Sequence, residues 1–159
     1  MTRSIIILII AVLTVAPVVQ AEVSQADEAR IKAEIMQVHD NMKAAAVAGN
    51  VDALYAHVSE KLNEAIIEDG ELYKNREEAM ASSRRGFKRT ADLEYNYTHQ
   101  KITVLCPTLV LWVADGSASA TRKNGSTRSA PFAETIVFTL EDGKWKVLHA
   151  HRSAPDPRR

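Results

Sequence analysis

The sequence predicts one α+β domain, helices first and an antiparallel sheet after them, behind a segment removed on export. Three observations predict it: an apolar run at the start, a long stretch of apolar residues at helical spacing, and a second half of alternating strands punctuated by Asp-Gly and Asn-Gly. At 159 residues the chain suits a single core, and it shows neither an internal repeat nor a domain-sized linker.

Met1-Thr2-Arg3 carries a positive charge, Ile5 to Val15 is almost wholly apolar, and Pro17 precedes Val19-Gln20-Ala21. This is the order of a secretory signal, so residues 1–21 are expected to be cut after Ala21. A membrane-spanning helix needs about 20 apolar residues; this run is shorter and is interrupted by proline. The mature protein is therefore expected in the periplasm or outside the cell, free of the membrane. Lysine plus arginine equals aspartate plus glutamate at 20 each. Loss of Arg3 with the signal leaves 19 − 20 = −1, and no basic stripe marks a nucleic-acid surface. Cys106 is the only cysteine, which excludes an internal disulfide. Its neighbours Val104, Leu105 and Pro107 predict a buried thiol, with an intermolecular bridge left open.

From Ser24 to Ala48, Ile31, Ile35, Val38, Met42 and Ala45 line one face of a long helix, which Gly49-Asn50 should end. Asp52 is expected to cap a short second helix bearing Leu54, Tyr55 and Val58. Leu62 to Tyr73 reads as a hairpin about Asp69-Gly70. Asn75 with Glu78 resembles a capping box for a third helix, Arg76 towards Arg89, with Ala79, Met80, Ser83 and Phe87 inward. Leu93, Tyr95 and Tyr97 lie on one phase of a strand and Ile102 and Val104 on the other, which predicts a bulge near Gln100. Leu109 to Ala114 is apolar on both phases, so both faces of that strand need cover, and a second subunit could provide the outer one. After Asn124-Gly125 come strands at Thr135–Leu140 and Lys144–Ser153, joined by Asp142-Gly143; residues 154–159 are expected to be a disordered tail.

The segment Ala133-Glu134-Thr135-Ile136-Val137-Phe138, followed by Asp142-Gly143-Lys144-Trp145-Lys146-Val147-Leu148-His149-Ala150-His151-Arg152-Ser153, carries a family resemblance. It resembles the end of the association domain of calcium/calmodulin-dependent protein kinase II, and the SnoaL-like and ketosteroid-isomerase-like relatives of nuclear transport factor 2. Gly49-Asn50-Val51-Asp52 and the long first helix extend the match over residues 22–153. The resemblance implies a cone: a long N-terminal helix on a strongly curved antiparallel sheet around a pocket, assembled as homodimers or larger rings. No kinase domain precedes it in this sequence. Function does not follow from the fold, which carries isomerases, cyclases, dehydratases and assembly modules.

By the two-residue period, Trp145, Val147, His149, His151 and Ser153 share one face of the last strand. In the resembled domain that face looks into the pocket, which implies His149 and His151 as pocket residues and as candidate catalytic groups able to exchange protons near neutral pH. The bland alternative is that they tie the strand to polar groups at the cone mouth. Arg128 matches an arginine of the resembled domain and would favour a carboxylate, or else is a solvated loop charge. Tyr55, Tyr95, Tyr97 and Trp112 could wall the cavity or simply fill the core. Glu64, Glu68 and Glu134 are the carboxylates available to an isomerase, and no motif assigns one as base.

The expected pocket set is Tyr55, Tyr97, Arg128, Glu134, His149 and His151, holding a small anionic or apolar molecule. Histidines two apart on a strand can chelate a metal, but the required third ligand has only His99 as a histidine candidate, and its spacing gives no support. No metal and no cofactor are expected; phosphate-loop, zinc and Ser-His-Asp signatures are missing from the sequence. The leading reading is an exported, self-associating, small-molecule-binding module without catalysis. Its rivals are a proton-transferring isomerase, cyclase or dehydratase, and a protein-assembly scaffold.

Overall fold

The computed structural model describes residues 23–61 and 63–155. The expected signal peptide and residues 156–159 of the expected tail lie outside the described residues.

Helix α1 spans Gln25–Val47, and the Ser24 hydroxyl accepts the Asp27 N–H at 3.1 Å. It buries Ile31, Ile35, His39, Ala45 and Ala46, and ends where Gly49 takes φ +66°. Helix α2, Val51–Tyr55, is capped by Asn50, whose side chain accepts the Ala53 N–H at 3.0 Å. The expected cap, Asp52, sits instead in the first turn and takes a 2.6 Å bond from Arg84. Strands β1 (Asn63–Glu68) and β2 (Glu71–Asn75) form the expected hairpin; Asp69 and Gly70 both hold positive φ, 50° and 87°, as a tight hairpin turn requires. Helix α3, Arg76–Arg89, starts at Asn75, which accepts the Glu78 N–H at 2.9 Å. Glu78 reaches back to the Lys74 N–H, one residue earlier than in the usual capping box.

Strands β3 (Thr90–Cys106), β4 (Leu109–Arg122), β5 (Thr127–Glu141) and β6 (Lys144–Ser153) complete a curved sheet of order β2-β1-β6-β5-β4-β3. Neighbours run antiparallel except β1 and β6, which run parallel. The helices cover the inner face, where Val110, Trp112, Phe138 and Val147 meet Ile31 and Ile35, all nearly inaccessible. Each such side chain contributes on the order of 2 kcal/mol by leaving water. The Trp145 indole N–H donates to Glu34 at 2.8 Å and so ties the last strand to the first helix.

Of the register shifts in this sheet, two place residues of the cavity. In β3, Tyr97 pairs with Gly116 and His99 with Asp115, which leaves Thr98 unpaired, slightly before the expected position. A Cβ at Gly116 would stand 2.2 Å from the Asn96 carbonyl oxygen, so only glycine fits there. In β6, Val147 pairs with Phe138 and His149 with Val137, which leaves Leu148 unpaired. The outer neighbour of β6 changes at the same place. Val147 is bonded to His57 and Ser59, whereas Ala150 to Arg152 pair with β1.

The β6 bulge corrects the expected strand phase. Trp145 and Val147 face the core, but one extra residue turns His149 and His151 to the outer face and brings Ala150 and Arg152 inward. Two smaller expectations also change. Cys106 lies half-buried at the β3–β4 turn, with its sulfur 3.6 Å from the Thr108 hydroxyl. Ala154, expected to be disordered, donates its N–H to Asp69 at 2.8 Å.

Candidate functional site

Between α1, α3 and the inner face of the sheet lies a cavity of about 310 Å³. Its floor is a charged row set by strand pairing: Glu68 of β1 stands beside Arg152 of β6, and Arg152 opposite Glu134 of β5. Tyr97, placed by the β3 bulge, donates its hydroxyl to Glu134 at 2.8 Å and lies 3.1 Å from His39 Nε2. Lys43, one helical turn beyond His39, holds its ammonium 5.7 Å from the Tyr97 ring centre. Met42, Leu54, Phe87 and Ile136 supply the apolar wall.

Arg152 is held by stacking. Its guanidinium lies 4.8 Å from the centre of Tyr95 and 4.7 Å from that of Phe132, and it donates to the Tyr95 hydroxyl at 3.0 Å. That bond, among the described residues, goes to neither flanking carboxylate, so most of its N–H donors remain for a ligand. Burial pushes Glu134 upward, against the Tyr97 hydrogen bond and the Arg152 charge. Glu68 is likewise raised by burial, against Arg152. Burial raises Tyr97 as well, and the Glu134 carboxylate beside it adds to the shift, so the phenol stays protonated as a donor.

His39 sits on the buried stripe of α1, its ring tilted 37° against that of Trp112 with the centres 4.1 Å apart. Burial drives its pKa down to about 4, so the imidazole is neutral at pH 7. Its Nδ1 and the Trp112 indole nitrogen are buried without a hydrogen-bond partner among the described residues. With its pKa lowered in this way the imidazole is a weak base at neutral pH.

Of the expected pocket set, the structure brings Tyr97 and Glu134 together in the cavity. Tyr55 is core: its hydroxyl lies 3.1 Å from Ser83, its carbonyl accepts from Arg76, and burial raises it to about 12. Arg128 is exposed near the start of β5, in a neighbouring groove. His149 and His151 stand on the outer face for the register reason given above; His151 borders a different groove with His99. Sequence reasoning missed His39, Lys43 and Arg152 as cavity residues. His39 was detectable, since it falls on the Ile35–His39–Met42 helical stripe. Arg152 was not, because its orientation depends on the bulge.

A curved sheet packed against a long N-terminal helix is the nuclear-transport-factor-2-like fold. The chain belongs to the SnoaL-like domain family, whose model matches residues 35–157. No curated protein matches it. Among solved structures it is similar to a nuclear transport factor 2-like superfamily protein from Salmonella enterica, with 14% identity, 83% of this chain and 96% of that one covered, and a TM-score of 0.73. A protein from Xanthomonas campestris, provisionally named a calcium/calmodulin-dependent protein kinase II association domain, is 18% identical over 78% of this chain and 87% of its own, with a TM-score of 0.69. A hexachlorocyclohexane dehydrochlorinase from Novosphingobium barchaimii is 15% identical over 84% and 92%, with a TM-score of 0.70. At such identities the likeness shows the fold.

The His39 burial sets a pH dependence. The unfolded imidazole titrates near 6.5 and the folded one near 4, so between these values the unfolded state binds the extra proton. The stability due to neutral burial is therefore present above 6.5 and lost as the pH falls towards 4, by about 3 kcal/mol. Glu68 and Glu134, both raised, work in the opposite sense and partly offset the loss. Urea unfolding at pH 7, 6, 5 and 4 is expected to give a flatter profile for His39→Gln than for the wild type. Parallel profiles would refute the assignment.

Proposed function

We propose that this protein is an exported, self-associating module that holds a small molecule with an apolar body and an acceptor oxygen, without turning it over. The observation that carries the reading is the Glu68–Arg152–Glu134 row on the floor of the cavity. Arg152 keeps donors in reserve, and Met42, Leu54, Phe87 and Ile136 offer apolar contact to the rest of a guest. Against catalysis stands the state of the cavity's proton carriers. The His39 imidazole is weakly basic, and Glu134 already accepts from Tyr97. A thermal-shift screen of small organic acids, phenols and carbonyl compounds should yield stabilising compounds. Their affinity is expected to drop roughly tenfold in Arg152→Gln, the worth of one hydrogen bond, to fall less in Tyr97→Phe, and to persist in His149→Ala/His151→Ala. Equal affinities in all three variants, or turnover of a stabilising compound, would sink the proposal.

Self-association is supported by the outer face of the sheet. Val110, Trp112 and Ala114 of β4 are buried inward, while Leu111 and Val113, with Thr135 and Val137 of β5, are only partly covered on the other side. A second copy laid on this face would complete their burial. The wild-type mature chain is expected to sediment as a dimer at micromolar concentration, and Leu111→Glu/Val137→Glu as a folded monomer. A monomeric wild type would dispose of this part of the reading.

Export rests on the charged, apolar and small-residue order of residues 1–21. No helix among the described residues is long and apolar enough to cross a membrane. Bacterial expression of the full chain should place it in the periplasm with Glu22 as its first residue. An intact mass that retains Met1 would contradict export.

A further inference from the structure

Beyond the cavity, the inner face of the sheet continues into a groove of about 340 Å³ between the end of α3 and strands β4 and β5. We infer that this groove is a second binding site, for a small organic dianion such as a phosphate monoester or a dicarboxylate. The inference stands on residues outside the cavity already described, and does not require that cavity to bind anything.

Strand pairing shapes the groove. Ala118 lies opposite Ala130, and Ala120 opposite Arg128, all on the inner face. Alanines at these three positions leave open a floor that larger side chains would fill. Around that floor stand three arginines. Arg122 lies two residues beyond Ala120 and so on the same face; Arg128 sits across the hairpin; Arg89 comes from the last turn of α3, where its carbonyl accepts the Lys123 N–H at 3.0 Å. The groove ends against Phe132 and Arg152.

The three arginines have no ion-pair partner among the described residues, whereas Arg30 and Arg84 each hold a carboxylate within 4 Å. The carboxylate that lines the groove, Asp69, already accepts the Ala154 N–H. Three exposed guanidinium groups on one groove repel each other, a cost that a guest of opposite charge removes. Guanidinium offers paired N–H donors that match the oxygens of phosphate and carboxylate, so a multi-oxygen dianion answers both charge and geometry. A neutral guest would leave the charges facing one another. The alanine floor leaves room for a small apolar body behind the anionic head.

The test uses phenyl phosphate as probe, with benzoate and benzyl alcohol as monoanionic and neutral comparisons, by calorimetry on the mature chain at low salt. The expected order of affinity is phenyl phosphate, benzoate, benzyl alcohol. Phenyl phosphate should bind at least tenfold more weakly to Arg122→Gln/Arg128→Gln, while Lys74→Gln/Arg85→Gln, with the same loss of charge away from the groove, keeps it. Ala120→Leu fills the floor without changing charge and should weaken the probe as well. The binding step lost in Arg122→Gln/Arg128→Gln should survive in Tyr97→Phe, which separates this site from the cavity. Equal weakening in the two charge-matched double variants would reduce the effect to diffuse attraction and overturn the inference. So would undetectable binding of phenyl phosphate to the wild type.

Discussion

Leu148 of β6 has no partner on β5, and much of the molecule's chemistry depends on that one extra residue. Side chains alternate along a strand, so an inserted residue exchanges the two faces from that point onward. Before the bulge, Trp145 and Val147 belong to the core; after it, Arg152 points into the hollow and His149 and His151 point away. The bulge lies where β6 leaves the His57–Ser59 segment and joins β1. The change of neighbour and the change of phase thus fall together. The β3 bulge at Thr98 has a related effect: it aims Tyr97 at Glu134 and requires glycine at position 116 opposite.

The hollow shows how charge is kept in a half-buried place. Arg152 is fixed by two aromatic faces and a tyrosine hydroxyl, which position the cation without neutralising it. Its carboxylate neighbours are raised by burial, which moves them towards their neutral forms. His39 is neutral for the same reason, with the opposite sign of shift. On the reading proposed above, the retained Arg152 cation would meet the acceptor oxygens of a guest, and the weakly basic His39 imidazole would orient that guest and not relay a proton.

Most of the fold was legible because its signals are local. The stripe from Ile31 to Ala45, the Asp69-Gly70 and Asp142-Gly143 turns and the Asn75 cap each act over a few residues, and each is found at or near its expected place. The shift of the α2 cap from Asp52 to Asn50 is of the same short range, since either side chain could have served and Arg84 engages Asp52. The candidate site was legible only in part. Tyr97 and Glu134 face the cavity, whereas Tyr55 became core, Arg128 lies in the adjoining groove, and the two histidines lie on the far side of the sheet.

By itself the sequence determined the element order, the helix ends, the tight turns and the family resemblance, because spacing, capping and turn chemistry depend on near neighbours. Tertiary structure alone decided the strand phase beyond Leu148, the parallel union of β1 with β6, and hence the meeting of Glu68, Arg152 and Glu134. Glu68 is remote from Arg152 in the chain and meets it only through the parallel β1–β6 pair, while Arg152 faces Glu134 in the hollow only because of the bulge at Leu148. No local pattern of residues records that pairing or that bulge.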